Sequence, residues 1–274
     1  MTRSADAARL AAGAEQLRAR HHGPQPLVLP NVWDAVSAQA FADAGFGALA
    51  TSSAAVAATL GYRDGQTPGE EMLAAVARVA RSVDVPLTAD IENGYGLPPA
   101  ELVSRLCDAG LAGCNLEDSD PATRSLLEPA LQADFLAAVR AAAGPALVIN
   151  ARVDVYVRPD AVAASGESAV DSAVARAQLY LAAGADCVYP ILAPAADLGE
   201  LVRRIDGPVN AMFLPGGPSV AELGRLGVAR ISFGGGLHAR AAQAIRDLAT
   251  ALATALAAAA GADTAAGAAG AADA

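Results

Sequence analysis

The sequence contains no lysine, and this absence excludes two classes of chemistry. All 19 of its positively charged residues are arginines. An enzyme that forms a Schiff base with a carbonyl substrate or with pyridoxal phosphate needs a lysine amine, and a Walker phosphate-binding loop contains an obligatory lysine. If this protein stabilises a carbanion or an enolate, a group other than an iminium must therefore do so.

Features typical of nucleic-acid-binding and membrane proteins are also missing. The net charge is −10 and the arginines are scattered singly, so no basic stripe could follow a phosphate backbone. Outside the alanine-rich tail, every apolar run of membrane-spanning length contains charges or helix breakers, and the N-terminus lacks the apolar core of a secretory signal. We expect neither a nucleic-acid partner nor a membrane partner.

Cysteine and histidine are too few and too scattered to form a recognisable site. Cys107, Cys114 and Cys187 are an odd number in unrelated contexts, which favours reduced, buried thiols in a cytoplasmic protein. Two of the three histidines precede the first predicted strand, and only His238 lies near a strand end. The sequence therefore predicts no histidine metal cluster, and no serine or cysteine lies in a nucleophile motif.

Short β-rich runs alternate with amphipathic helical segments along most of the chain. The eight predicted strands span 27–30, 47–51, 87–90, 112–117, 147–153, 186–191, 208–213 and 228–233. Eight strands that alternate with helices predict a parallel (β/α)8 barrel of the TIM type. An open doubly wound sheet has a similar rhythm, but no G-x-G-x-x-G motif follows the first strand.

The domain prediction is one barrel over residues 1–260 that includes an N-terminal and a C-terminal helix. The last helical pattern covers 237–259, and the low-complexity alanine and glycine tail over 261–274 is expected to fray. An alanine-rich terminal helix could pack on a neighbouring subunit.

The polar residues at the predicted strand ends are mostly acidic. In a barrel, catalytic groups lie where the strands end and the loops to the helices begin. The residues at these ends are Thr51, Ser52 and Ser53 with Asp64 in the following loop, then Asp90 and Glu92, Asn115, Glu117 and Asp118, Asn150, Arg152 and Asp154, and Asn210.

Alternation along a strand predicts that these groups converge. It places Asn115 with Glu117 on one side, likewise Asn150 with Arg152, and also Asp90 with Glu92 if that strand continues far enough. Carboxylates that lie close together repel one another unless they share a cation. Because a hard divalent ion prefers oxygen ligands and Mg²⁺ keeps several waters, the pattern favours a Mg²⁺ site.

Other interpretations of these residues stay open. Asn93 and Gly94 could form a hairpin turn, although the following "LPPAEL" favours a strand, a loop and a helix. Arg152 could hold a substrate carboxylate in a bidentate pair, or it could pair with Glu117 or Asp154. The loop serines could bind an anion or could be ordinary loop residues.

Several of these motifs together resemble the isocitrate lyase and phosphoenolpyruvate mutase superfamily. The motif "TADIENGYG" is preceded by "ATSSAAVAATLGYRDG" and is followed by "NLED" and "INARVD". The resemblance extends over residues 27 to about 240, through "LPNVWDAVSAQAFADAGF" and "GGPSVAELGRLGVARIS".

The resemblance implies a (β/α)8 barrel whose last helix is exchanged with a partner subunit, in a homodimer or homotetramer. It also implies bound Mg²⁺, with Mn²⁺ as an alternative ion, and a small 2-oxo or 2-hydroxy carboxylate substrate. Asp90 matches the direct metal ligand, and Asp64, Glu92 and Glu117 match acids that hold the metal's waters. Ser52, Ser53, Asp64, Asn150, Arg152 and Asn210 are the expected substrate-binding residues.

The sequence departs from the well-known members of this superfamily in one loop. The lyases that act on isocitrate and methylisocitrate carry a catalytic cysteine in a K-[KR]-C-G-H loop. Here the loop reads "EDSDPATRSLLEP", without cysteine or histidine. We therefore expect Arg152, Glu117 and Arg124 of this loop to act in catalysis.

The predicted function is Mg²⁺-dependent cleavage of a carbon–carbon bond through an enolate, which releases a small 2-oxo acid. Oxaloacetate decarboxylation and phosphonopyruvate hydrolysis or rearrangement are the alternatives within the same chemistry. A barrel that binds a 2-oxo acid but has lost catalysis is the alternative from another class, and the missing cysteine favours it.

Overall fold

The computed structural model describes residues 3–123, 125–160, 162 and 166–270. These residues form two compact units, Met1–Gly235 and Gly236–Ala274. The first unit contains all of the strands and all of the site residues discussed below. The second unit is a single helix.

The first unit is built from nine short strands that pair in parallel. They are β1 (Leu27–Leu29), β2 (Asn31–Val32), β3 (Leu49–Thr51), β4 (Leu87–Asp90), β5 (Gly113–Glu117), β6 (Val148–Val153), β7 (Cys187–Pro190), β8 (Asn210–Met212) and β9 (Arg230–Ser232). The strand order is β2-β3-β4-β5-β6-β7 in one sheet and β1-β9-β8 in the other.

Two connections close these sheets into one barrel. Pro30 separates β1 from β2, and because proline has no backbone N–H it interrupts the ladder there without ending the strand direction. On the other side, Val188 of β7 bridges in parallel to Val209, which precedes β8. The eight predicted strand positions are all present, and the predicted (β/α)8 barrel is confirmed.

One helix of the first unit precedes the first strand, and the others lie between strands along the chain. They are α1 (Arg3–Arg20), α2 (Ala35–Asp43), α3 (Ser53–Leu60), α4 (Gly69–Ala80), α5 (Pro99–Asp108), α6 (Pro129–Ala143), α7 (Ala169–Ala182), α8 (Ala195–Arg204) and α9 (Val220–Arg225). Two of them begin with a capping box, formed by Asp34 and Ser37 for α2 and by Ser219 and Glu222 for α9.

Side chains on the central strands alternate between an apolar outer face and a polar inner face. Cys114 and Leu116 of β5 belong to the apolar core beneath the helices. The residues between and beyond them, Asn115 and Glu117, therefore face the barrel interior and its mouth. In β6 the same alternation sends Asn150 inward, as the sequence predicted.

The second unit is the helix α10 (Gly236–Gly270). It continues beyond residue 259, into the segment that was expected to fray. Its apolar residues Ile245, Leu248, Leu252 and Leu256 are all more than half exposed. Their spacing of three or four residues places them along one face of the helix. Within the described part of the chain, no helix is long and apolar enough to span a membrane.

Candidate functional site

Asp90 is the last residue of β4 and lies at the mouth of the barrel. Thr51 of the neighbouring strand and Ser53 after it hold Asp90 in place. The Asp90 backbone N–H donates to Thr51 Oγ1 at 3.1 Å. Its Oδ2 accepts hydrogen bonds from the Ser53 hydroxyl at 2.8 Å and from the Ser53 N–H at 3.3 Å. Asp90 Oδ1 is buried and has no hydrogen-bond partner among the described residues. One carboxylate oxygen is thus fixed by Ser53, while the other makes no hydrogen bond to a described residue.

Glu92 reaches the same mouth by a route that strand alternation did not predict. β4 ends at Asp90, so the condition that the strand continues to Glu92 is not met. Glu92 instead takes a left-handed backbone conformation with φ of 54°, which is uncommon for a residue with a side chain and is concentrated at functional sites. Its Oε1 is buried without a hydrogen-bond partner in the described structure.

The loop after Glu92 turns tightly and leads into a helix. Gly94 has φ of 86°, and a Cβ atom there would lie 3.0 Å from Leu102 Cδ2. The chain then enters α5 at Pro99. The hairpin alternative is therefore wrong, and the predicted sequence of strand, loop and helix is confirmed.

The acidic side chains at the mouth lie close enough to influence one another's protonation. Burial, together with the charges of Asp90 and Asp64, raises the pKa of Glu92 to about 7. Burial also raises the pKa of Glu117 to about 8, against the opposing effect of Arg152. Asp64 lies on the exposed rim, where partial desolvation and the Asp90 charge raise its pKa. The four acids predicted to surround a metal ion are thus one electrostatic cluster.

Arg152 lies between two carboxylates. Its Nη1 is 2.6 Å from Glu117 Oε2, and its Nε and Nη2 donate to the two oxygens of Asp154 at 2.6 and 3.0 Å. Both ion pairs that the sequence left open as alternatives are therefore formed. The Nε and Nη2 edge of the guanidinium is occupied by Asp154. Nη1 contacts Glu117, which is one of the four clustered acids.

Asp118 points away from the mouth although it follows Glu117 directly. It is fully buried and accepts hydrogen bonds from Arg176 Nη1 at 2.9 Å, Tyr180 OH at 2.7 Å and the Asp154 N–H at 2.8 Å. Asp118 thereby ties β5 to α7 and fixes the backbone of Asp154. Its contacts are structural, and they set the position of the carboxylate that holds Arg152.

A layer of asparagines lies inside the barrel below the acids. Asn150 and Asn210 are completely buried. Asn150 Nδ2 donates to Asn115 Oδ1 at 2.9 Å, and Asn210 Oδ1 accepts from Ser232 Oγ at 3.3 Å. These two predicted substrate-binding residues therefore line the barrel interior and not its outer rim.

Of the remaining predicted site residues, Ser53 contacts the acidic cluster and Ser52 caps a helix beside it. Ser52 is buried and caps α3, with its hydroxyl accepting from the Ala55 N–H at 3.4 Å. Ser53 contacts Asp90 directly, as described above. Arg124 lies outside the described residues, so its predicted catalytic role stays a prediction.

The donor set fits a hard cation that is held partly through water. No group of three or more histidine, cysteine or acidic side chains within the described ranges is close enough to enclose a metal ion by itself. Mg²⁺ usually keeps several waters and takes only one or two carboxylates directly. The free oxygens of Asp90 and Glu92 match that requirement.

Three residues near the site that carry buried polar atoms were missed by sequence reasoning. Arg230 and Tyr189 point into the barrel, and the Tyr95 hydroxyl lies beside the acids; each has at least one polar atom without a partner among the described residues. For Arg230 a signal was available, because a charged residue stands in the middle of the apolar run "GVARISF". Nothing in the sequence distinguished the two tyrosines from ordinary core residues.

Comparisons with known proteins find relatives of similar sequence and fold. The family profile for phosphoenolpyruvate phosphomutase matches residues 17–253. Probable 2-methylisocitrate lyase 2 of Corynebacterium glutamicum is 34% identical over 207 residues, which cover 71% of this chain and 64% of that protein.

Two crystal structures have the same fold. A protein of Burkholderia cenocepacia J2315, provisionally named a phosphonomutase, is 40% identical, with a TM-score of 0.80 over 86% of this chain and 98% of that one. The second is 2,3-dimethylmalate lyase, described as a PEP mutase/isocitrate lyase superfamily member. It is 25% identical, with a TM-score of 0.76 over 88% of this chain and 87% of that one.

Proposed function

This chain belongs to the phosphoenolpyruvate phosphomutase family, within the isocitrate lyase and PEP mutase superfamily of carbon–carbon lyases and mutases, and we propose that it is a Mg²⁺-dependent lyase. Its substrate in this proposal is a small 2-oxo or 2-hydroxy carboxylate, cleaved at a carbon–carbon bond. The observation that carries the proposal is the acidic cluster, in which Asp90 and Glu92 each keep a buried oxygen without a partner among the described residues.

In this proposal one acid binds the ion directly and the other three bind it through water. Asp90 is the direct ligand because Ser53 fixes one of its oxygens and leaves the other available. Glu92, Glu117 and Asp64 act through water. When bound, Mg²⁺ (or Mn²⁺) would supply positive charge next to the oxygen on which negative charge develops.

Arg152 is the proposed anchor for the substrate carboxylate. Asp154 holds its Nε edge in a fixed orientation, and Nη1 is paired with Glu117. A substrate carboxylate can replace Glu117 at Nη1 without disturbing the Asp154 pair. Glu117, whose pKa is raised to about 8 by burial, can carry a proton near neutral pH, which suits a group that exchanges a proton with the substrate.

The neighbouring polar groups complete the proposed substrate pocket. Ser52 and Ser53 lie at the start of α3, and Asn150 and Asn210 lie below the acids. We assign all four to substrate binding. The leading substrates are hydroxy-dicarboxylates and hydroxy-tricarboxylates, the class to which the names of the lyase relatives point.

A second candidate is cleavage or rearrangement of a carbon–phosphorus bond. It is favoured by the family profile and by the name of the Burkholderia protein, which is 40% identical. Oxaloacetate decarboxylation would use the same acids and needs no separate acid at the moment of bond cleavage.

A turnover screen separates these possibilities. The purified protein is assayed with Mg²⁺, and with a chelator, on isocitrate, methylisocitrate, dimethylmalate, oxaloacetate and phosphonopyruvate. We expect turnover of a hydroxy-carboxylate that disappears with the chelator. Tight Mg²⁺-dependent binding of a 2-oxo acid without any turnover would instead identify a binding protein.

Substitution of the metal ligand provides a second test. Asp90→Asn should lose Mg²⁺ binding in calorimetry at least tenfold while keeping its circular dichroism spectrum. Asp84→Asn, at an exposed position before the same strand, is the matched control and should bind normally. If Asp90→Asn binds Mg²⁺ as well as the wild type, the metal assignment is wrong.

We also propose that the protein assembles as a homodimer or homotetramer through α10. The supporting observation is the exposed apolar face formed by Ile245, Leu248, Leu252 and Leu256, which a second copy of the chain would cover. Exchange of this helix between subunits, and a cytoplasmic location, stay predictions.

A further inference from the structure

Arg230 is a completely buried arginine that has almost no hydrogen-bond partners. None of its surface is exposed. Its one hydrogen bond runs from Nη2 to the neutral amide oxygen of Asn115, at 3.2 Å. Nε and Nη1 have no partner in the described part of the chain. Arginine normally has five donors to satisfy, and buried donors are nearly always paired.

Fold stability does not explain this residue. The other well-buried arginines near the site, Arg152 and Arg176, each pair directly with a carboxylate, whereas the described structure places no carboxylate within ion-pairing distance of Arg230. A buried charge without such a partner opposes folding, and burial accordingly lowers the pKa of Arg230. A residue that is unfavourable for folding in this way points to a role in function.

Arg230 lies close to the acids of the barrel mouth. Asn115 Oδ1 accepts from both Arg230 and Asn150, so the guanidinium lies in the asparagine layer. Asn115 is paired in register with Asp90, and Glu117 follows it two residues later on the same face of β5. Two strand residues span about 7 Å. The guanidinium thus lies one layer below Glu117 and near the strand position of Asp90, whose charge acts on it.

We propose that Arg230 is a positioning residue that provides a fixed positive charge under the metal site. It balances the carboxylates of the mouth, orients the Asn115 and Asn150 amides, and favours binding of an anionic, enolate-like form of the substrate above it. This inference rests on the proposed function and adds a second arginine to it, one that acts from below without touching the metal.

Removing the Arg230 charge should change the affinities for a cation and for an anion in opposite directions. A positive charge below a cation site weakens Mg²⁺ binding and strengthens binding of an anion. At a separation of about 7 Å and an effective dielectric constant of about 20, removal of one charge should change each affinity by at least about fivefold. A general packing defect would weaken both.

The test compares Arg230→Met with the wild type. Calorimetry measures Mg²⁺ binding to the metal-free protein, and then binding of oxalate, a planar dianion that resembles the enolate of a 2-oxo acid, at saturating Mg²⁺. We expect Mg²⁺ to bind at least about fivefold more tightly and oxalate at least about fivefold more weakly. The melting temperature should be equal to the wild-type value or higher, because methionine fills the space without a buried charge.

Two further variants serve as controls. Arg230→Lys keeps the charge and should preserve Mg²⁺ affinity within about twofold. Arg176→Met removes a buried arginine that does have a carboxylate partner, so it should lower the melting temperature without producing opposite changes in the two affinities.

The failure of this inference differs from the failure of the proposed function. A wild-type protein that binds no Mg²⁺ refutes the proposed function, and this inference with it. If the wild type binds Mg²⁺ and oxalate, but Arg230→Met weakens both, changes neither, or lowers the melting temperature, only the role of Arg230 is refuted.

Discussion

Glu117 and Asp118 follow one another at the end of β5, and substitution of Asp118 tests whether it stabilises the fold while Glu117 belongs to the acidic cluster. Asp118 is fully buried and accepts three hydrogen bonds, from Arg176, Tyr180 and the backbone of Asp154. Asp118→Ala would leave the Arg176 charge and the Tyr180 hydroxyl without this partner. The backbone N–H of Asp154 would lose its acceptor as well.

The expected loss of stability follows from these contacts. Removing one partner of a buried ion pair costs about 3–5 kcal/mol. For a chain of this size, each kcal/mol lowers the melting temperature by about 2–4 °C. We therefore expect Asp118→Ala to melt about 6–20 °C below the wild type. Because Asp118 faces the helices, Mg²⁺ affinity measured at low temperature should change less than about threefold.

The assay is urea unfolding followed by circular dichroism, for Asp118→Ala, Arg176→Met and the double variant. Since the two side chains share one interaction, the double variant should lose at least about 1 kcal/mol less than the sum of the single losses. Asp120→Ala is the matched control: this partly exposed neighbour caps a turn, accepting from the Ala122 N–H at 2.8 Å, and its loss should cost about 1 kcal/mol or less.

One result would refute this reasoning. If Asp118→Ala keeps the wild-type stability but loses Mg²⁺ binding, Asp118 belongs to the acidic cluster and the division between Glu117 and Asp118 is wrong.

Two further predictions concern protonation and assembly. Burial lowers the pKa of His21 from 6.5 to about 4 in the folded state, because the folded protein disfavours the charged imidazole. Neutral His21 therefore adds about 3 kcal/mol to the free energy of unfolding above pH 6.5, and this stability is lost as the pH falls towards 4. Unfolding measured between pH 4 and 7 should show this slope in the wild type and in His22→Gln, but not in His21→Gln; equal slopes in all three would contradict the assignment. For assembly, a variant with both Leu248→Glu and Leu252→Glu should elute as a monomer in size-exclusion chromatography with light scattering, and a Gln243→Glu control on the same helix should keep the oligomer. A wild-type monomer would refute the assembly proposal.

The fold was predictable from sequence because its signals are local. Each predicted strand is a short β-rich run followed by a helical segment, and several of these helices have a side-chain cap or end at a glycine. The eight-fold rhythm is therefore visible without any knowledge of distant contacts. The barrel then follows from counting strands. Asp90 was also predictable, because the end of a parallel strand fixes which end of the barrel a residue reaches.

Conformations that depend on distant contacts were not predictable. Glu92 reaches the mouth through a left-handed backbone in a loop, and not through the continuation of β4. The direction of Asp118 depends on Arg176 and Tyr180, about 60 residues further along the chain. Local sequence carries no information about such partners.

The sequence by itself determined the barrel, its acidic mouth, the absence of a lysine-based mechanism and the family resemblance. Only the tertiary structure decided how the charges are paired. It paired Arg152 of β6 with Glu117 of β5, and it left Arg230 buried beneath the acids with one neutral partner. The physical reason is that charge pairing depends on distances across the barrel, between residues on different strands, and these distances exist only when the barrel closes.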